Sequence, residues 1–428
     1  MTRNALIMVC AAPLMTSAMP GYCPPGEQGR DATASVIQQI SSERVWIADP
    51  EIFLPFNERC RTAEWQPTSI DLVAASVESA QPVVEVVFVL DTTGSMGGLI
   101  EGAKQKIWSI ANAIVTGEPR PTVRMGLVAY RDVSDAYVTQ ITGLTDDLDA
   151  VYEKLMGFQA QGGGDGPESV NQALNEAVTK IGWSESDDVL RIVYLVGDAP
   201  PHMDYEQDVK YAVSCELAAK RGLIVNTIQC GNDTSTTPIW QEIARLAEGE
   251  FFQIEQSGGM QAISTPYDEE LGELAGRLGQ TMVVYGSTRE IAEGEMRMRR
   301  AERLAEAAPA EAAADRAAYM AKAGAGGAVD LIADIEAGKI KLEDVPESEL
   351  PEVMREMSVE EREAHVAARI AERAETREQI ETLSAKRQAF IKEAIGKAGK
   401  ADSFDHLVLE SLQKQAARVG IDYDANDE

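Results

Sequence analysis

Asp91, Thr93 and Ser95 stand on alternate positions of the segment Asp91-Thr92-Thr93-Gly94-Ser95-Met96. That spacing sets one carboxylate and two hydroxyls on a tight turn, where three oxygens can converge on one small, hard cation. Gly94, with the pair Gly97 and Gly98, lets the backbone bend around such an ion. The helix expected from Leu99 would point its amino end, and its partial positive charge, at the same place. A second loop, Gly162-Gly163-Gly164-Asp165-Gly166-Pro167-Glu168, offers Asp165, and a third, Gly197-Asp198-Ala199-Pro200-Pro201, offers Asp198. Each residue also has a plainer reading, as an N-cap or a turn residue. Three separate loops carrying oxygen ligands are hard to derive from core packing, which favours the metal.

The rival chemistry is hydrolysis. An aspartate at a strand end can form an acyl phosphate, which would make Asp91 the nucleophile of a Mg2+-dependent phosphohydrolase. Such a site calls for a second acid two residues on, where Thr93 stands, and for a lysine to hold phosphate; neither is evident. The glycines at 162–164 also lack the lysine of a phosphate-cradling loop. His202 reads as a surface-loop residue rather than a general base. Arg131 and Asp132 read as a salt bridge shaping the site, with direct ligand contact as the alternative.

These motifs need elements to position them. Val83–Leu90 is a nearly unbroken apolar run of the kind buried on both faces of a sheet. Similar runs recur at 123–130, 190–196, 224–229 and 251–254, and segments of helical period lie between them at 99–115, 148–156, 168–181, 205–221 and 238–247. Alternating strands and helices predict an α/β, doubly wound, mostly parallel sheet flanked by helices, Rossmann-like in architecture. Ligands of such sheets bind beyond the carboxyl ends of the strands, where all three motifs fall. Thr281–Tyr285 is expected to add an edge strand.

The segment from about Val83 to Gly286 resembles the von Willebrand factor A domain. Asp91, Thr93 and Ser95 are similar to its metal-ion-dependent adhesion site, and Asp198 to that site's later aspartate. Asp165 occupies the position where the family usually has a threonine. The bacterial branch with D-T-T-G-S-M, A-Y-R-D, G-G-G-D-G-P-E and G-D-A-P-P-H is most similar. The resemblance implies Mg2+ held by Asp91, Thr93 and Ser95, with Asp165 and Asp198 bound directly or through water. Mn2+ is a substitute, and Ca2+, which prefers more oxygens, is less suited. It further implies a partner protein whose acidic side chain completes the metal shell.

Beyond Ser287 the composition turns to Ala, Glu, Arg and Lys, and an α-helical C-terminal region is expected over 287–428. Ser358 and Glu361 form a capping box opening one long helix to about residue 397. Its apolar positions keep one face only loosely, with Arg387 interrupting. It reads equally as a solvated stalk, half of a hairpin, or a helix for coiled-coil self-association. A helical scaffold subunit of an envelope assembly is therefore another reading of the whole.

The 428 residues carry 39 Lys and Arg against 70 Asp and Glu, a formal net charge of -31. Clustered cations are what phosphate backbones and anionic lipid surfaces require, so nucleic acid is not an expected partner. Arg3, the apolar run Ala5–Met15 and small residues at 16–18 predict a signal peptide over 1–19, and hence a secreted or periplasmic protein; without that signal it is cytoplasmic. Eleven apolar residues are too few for a permanent membrane span. Four cysteines would remain after cleavage, to be paired as Cys23 with Cys60 and Cys215 with Cys230, or left as buried thiols at 215 and 230. Residues 20–82 show no assignable fold.

Overall fold

Val83–Asp91 (β1) is buried along almost its whole length because apolar layers cover both of its faces. Side chains alternate across a strand, so Val84, Val86, Phe88 and Leu90 enter one apolar cluster while Val87 and Val89 enter another on the opposite face. Each such side chain contributes roughly 1.5–3 kcal/mol when removed from water. The computed structural model describes residues 81–164, 166–260, 262–324, 329–398 and 403–423. Cys23, Cys60 and the expected signal segment lie outside these residues.

Five further strands complete the sheet: Thr122–Tyr130 (β2), Thr139–Thr145 (β3), Val189–Gly197 (β4), Leu223–Cys230 (β5) and Phe251–Ile254 (β6). Their spatial order is β3-β2-β1-β4-β5-β6, with β3 antiparallel to β2 and every other pairing parallel. The sheet is therefore mixed but mostly parallel, as expected. The helices between strands are Gly97–Ile114 (α1), Leu148–Gly157 (α2), Val170–Thr179 (α3), Tyr211–Lys220 (α4) and Thr236–Leu246 (α5). Residues of α1 and α2 line the first face, and residues of α3, α4 and α5 the second. Chain order runs outward from β1 to β3, then returns to β4 beside β1 and proceeds the other way. That reversal opens a crevice at the carboxyl ends of β1 and β4.

One expectation fails here, and of the two readings left open for Cys215 and Cys230 the buried thiols hold. Thr281–Tyr285 does not join the sheet; Val284 makes one isolated bridge to Asp330, and Val283 and Tyr285 bury in a satellite apolar cluster with Leu331, Ile332 and Leu350. Asp330 captures the free backbone by accepting from Val283 N at 3.2 Å. Cys215 and Cys230 are free buried thiols and form no disulfide. They belong to clusters on opposite faces of the sheet, which keeps the sulfurs apart.

The C-terminal helices are Asp268–Gln280 (α6), Thr288–Ala307 (α7), Ala310–Ala323 (α8), Leu331–Glu336 (α9), Glu352–Arg355 (α10), Val359–Ala398 (α11) and Phe404–Ala416 (α12). The capping box at Ser358 forms: Ser358 N donates to Glu361 Oε2 at 2.8 Å and Glu361 N to Ser358 Oγ at 3.3 Å. The helix it opens is not a bare stalk, since Ile380 packs with Leu271 and Leu274 of α6 and Met320 of α8. The last α-helix among the described residues, α12, covers the first face of the sheet. Phe404 lies 5.9 Å from Phe88, ring to ring, and Tyr194 Oη donates to Val408 O at 2.9 Å. Asn226 and Gln415 exchange amide hydrogen bonds at 3.1 and 2.8 Å. α12 thus supplies partners for polar groups of β4 and β5 that it also buries. None of the described helices is long and apolar enough to cross a membrane.

Candidate functional site

Asp91 is the last residue of β1, directly beside the end of β4, and is fully buried. Gly197 permits this approach, because a Cβ there would stand 3.1 Å from Asp91 Cβ and press on the Tyr130 hydroxyl. Asp91 Oδ1 accepts hydrogen bonds from Thr93 N at 2.8 Å and Thr93 Oγ1 at 2.7 Å, and Thr93 Oγ1 lies 3.3 Å from Ser95 Oγ. Thr92 turns the other way and anchors the loop, through Tyr130 O at 2.8 Å and Tyr137 Oη at 2.7 Å. One 3-10 turn, Gly94–Met96, then leads into α1. The alternate spacing read from the sequence thus places the carboxylate and both hydroxyls on one side of the turn.

Asp198 follows β4 and reaches the same cavity, of about 500 Å³, which is lined by Thr93, Ser95, Gly163, Glu168, Asp198 and Gln256 among others. Gln256, on the loop after β6, donates to Asp198 Oδ2 at 2.6 Å and to Ser95 O at 3.3 Å, joining the first and third loops. Asp165 lies outside the described residues. Glu168, at the far end of the same loop and 4% exposed, lines the cavity. Sequence reasoning missed both Glu168 and Gln256. A carboxylate closing the glycine-rich loop was a signal for the first; nothing local marks the second.

Two buried oxygens here, Asp91 Oδ2 and Glu168 Oε2, have no hydrogen-bond partner. Burial, foremost, and the nearby Asp198 charge push the Asp91 carboxyl up to about 7, against the opposing hydrogen bonds of Thr93. Burial and then the charges of Asp91, Asp132, Asp135 and Asp198 push Glu168 up to about 9. Among the described residues no three His, Cys, Asp or Glu side chains are grouped so as to hold a metal ion by themselves. The donor set is instead one buried carboxylate, two hydroxyls and flanking acids around an open cavity. Hard oxygens with room for water suit Mg2+, and a buried carboxylate oxygen lacking any donor is what a cation would satisfy.

Two neighbours differ from expectation. Arg131 does not pair with Asp132; its Nε donates to Thr92 O at 3.1 Å and its guanidinium to Gln159 O at 2.6 Å, lying 4.4 Å above the Tyr137 ring. Asp132 accepts from Ser169 Oγ at 3.0 Å and Tyr205 Oη at 2.9 Å. The arginine thereby braces the first loop against the segment entering the second. His202 is buried rather than at the surface, stacked 4.0 Å from Tyr205 and 2.9 Å from Asp204. The parallel bridge between Glu168 and Pro201 draws it inward.

Residues 85–265 match the family described as von Willebrand factor A domain. The chain carries an A domain. Its segment resembles a protein of Acanthamoeba polyphaga mimivirus named as an ariadne-like RING finger protein, 24% identical over 194 residues, or 41% of this chain and 19% of that protein. It also resembles von Willebrand factor A domain-containing protein 7 of Rattus norvegicus, 38% identical over 97 residues, or 23% of this chain and 10% of that one. The match thus spans less than a fifth of either curated relative. Among solved structures, the SpRpn10 VWA domain is 13% identical, with 42% of this chain and 91% of that chain covered and a TM-score of 0.33. An aerotolerance-related membrane protein from Bacteroides fragilis is 18% identical, with 41% and 92% covered and a TM-score of 0.28. A domains commonly mediate protein interactions.

The raised Asp91 carboxyl makes the metal-free A domain sensitive to pH. A carboxyl whose folded value exceeds its unfolded value binds its proton more tightly when folded, so stability is highest in acid and falls as pH rises between the two values. For Asp91 that window runs from 3.8 to about 7. Thermal melts in EDTA across this range should show a steeper decline for wild type than for Asp91→Asn, which has no charge to bury. Parallel slopes would mean that Asp91 is not ionising in a buried setting.

Proposed function

We propose that the A domain binds one divalent cation, Mg2+ or Mn2+, and through it a partner protein. The observation that carries this reading is the buried Asp91 Oδ2, which has no donor, in a loop whose Thr93 and Ser95 hydroxyls stand beside it at a cavity open to solvent. Asp91, Thr93 and Ser95 would hold the ion, with Asp165 and Asp198 completing the set. The ion supplies positive charge that offsets repulsion between Asp91 and Asp198, and a position open to an acidic side chain of the partner. Thr93 keeps the Asp91 carboxylate in one orientation, Gln256 holds Asp198 in place, and Arg131 keeps the two glycine-containing loops in register. Phosphate transfer is less well served, because Lys104, the lysine following the site on α1, is buried and donates to Phe158 O at 2.8 Å.

A pull-down with the full chain tests the reading. Bait with Mg2+ should retain proteins that are lost in EDTA and lost with Asp91→Ala. Recovery of the same proteins under all three conditions would refute metal-gated recognition. Release of phosphate from a generic phosphomonoester, dependent on Asp91, would favour the hydrolase instead.

A further inference from the structure

Glu168 is held in place from both sides of its backbone. Its N–H donates to Pro200 O at 2.9 Å and its carbonyl accepts from His202 N at 3.0 Å, so the second loop is bridged to the loop carrying Asp198. The side chain is almost wholly buried, yet Oε2 meets no donor. Gly163, in the left-handed region at φ 76°, leaves the space it occupies: a Cβ at that glycine would stand 3.0 Å from Glu168 Oε1 and 3.0 Å from Thr93 Cβ. The Glu168 carboxylate and Thr93 of the first loop thus both flank Gly163, where no side chain intervenes. Its influential charged neighbours are themselves acids, Asp91, Asp132, Asp135 and Asp198. Core packing gives no reason to bury a carboxylate among four others, because each desolvated charge needs a partner of opposite sign.

We propose that Glu168 is a further carboxylate of the divalent-cation site, supplied by the second loop. This rests on the reading of Asp91, Thr93 and Ser95 as the ion's cradle and names a group that motif spacing had not assigned. Asp91 comes from the turn after β1, Asp198 from the turn after β4, and Glu168 from the loop bridged to the latter. An added carboxylate strengthens attraction for the ion and leaves less positive charge to present to a partner.

Calorimetric titration of the full chain with MgCl2, and separately MnCl2, distinguishes the outcomes. Glu168→Gln keeps the shape and removes the charge, and should weaken Mg2+ binding by about 10- to 100-fold, in line with losses on altering groups around a metal. Its metal-free form should melt at or above the wild-type temperature, since glutamine has no proton to lose in this buried acidic setting. If Glu168→Gln binds Mg2+ as tightly as wild type while Asp91→Ala binds none, the cradle stands and the role given to Glu168 is wrong. If wild type takes up no cation, both fail together. Should Glu168→Gln not fold, Glu168→Asp decides by shortening the reach at constant charge: affinity equal to wild type overturns the proposal, and a weaker one supports it.

Discussion

Asp91→Ala is expected to abolish Mg2+ uptake in calorimetric titration while the domain stays folded. Asp91 is the one carboxylate fixed by two hydrogen bonds within the first loop, and its second oxygen has no other use. Its removal leaves two hydroxyls, which are weak ligands for a hard cation without an accompanying charge. The cost to the metal-free fold is limited by opposing effects. Thr93 N and Oγ1 lose an acceptor, at about 1–3 kcal/mol for a buried donor left unmet. Relief of a buried, repelled carboxylate acts in the other direction. Asp91→Asn keeps an oxygen for Thr93 and in EDTA should melt close to wild type in acid and above it near neutral pH. Saturating Mg2+ should raise the wild-type melting temperature, by linkage worth about 2.7 kcal/mol at 100 times Kd, and move neither variant. A wild-type heat of binding in Asp91→Ala would place the ion elsewhere.

Arg387→Ala should produce the largest loss of stability without touching the site. Arg387 on α11 is 5% exposed at its side chain and is surrounded by Asp268 of α6 at 2.6 Å, Asp315 of α8 at 2.6 Å and the carbonyl of Glu311 at 3.1 Å. Both aspartates are nearly inaccessible, at 2% and 7%. Deleting the shared cation strands two buried carboxylates close together, which costs about 3–5 kcal/mol, a sizeable part of a typical domain's stability. Arg387→Lys should recover only part, because one ammonium does not reproduce the guanidinium fork. Urea unfolding would show the midpoint falling, and Mg2+ affinity measured below the transition should be unchanged. An unaltered midpoint would mean that α11 gains nothing from this contact.

Much of the sheet was legible before any coordinates. Strands buried on both faces must be apolar throughout, so β1, β2, β4 and β5 announce themselves by composition and length, while the short edge strand β6 shows through its two phenylalanines. The edge strand β3, with the sequence TQITGLT, escaped notice because it is half-exposed and carries no such run. Thr281–Tyr285 had the right composition and the wrong neighbours: Asp330 claims its backbone and helices cover its side chains. The site divides likewise. Asp91, Thr93 and Ser95 are neighbours in the chain, so their convergence follows from one turn. Glu168 and Gln256 belong to it only because the second loop is bridged to Pro201 and the loop after β6 folds over Ser95.

What the sequence determined by itself is the set of features governed by short-range rules. These are side-chain alternation in strands, capping at Ser358, and three oxygens on one turn. What only the tertiary structure decided is where charge and polarity end up once water is excluded. Arg387 reads as an interruption of an apolar face and is its buried anchor; Tyr194 and Asn226 pass unmarked inside the strand runs and are the seats of α12. The physical reason is that the cost of burying a polar group depends on a partner which, in these cases, stands between 72 and 214 residues away.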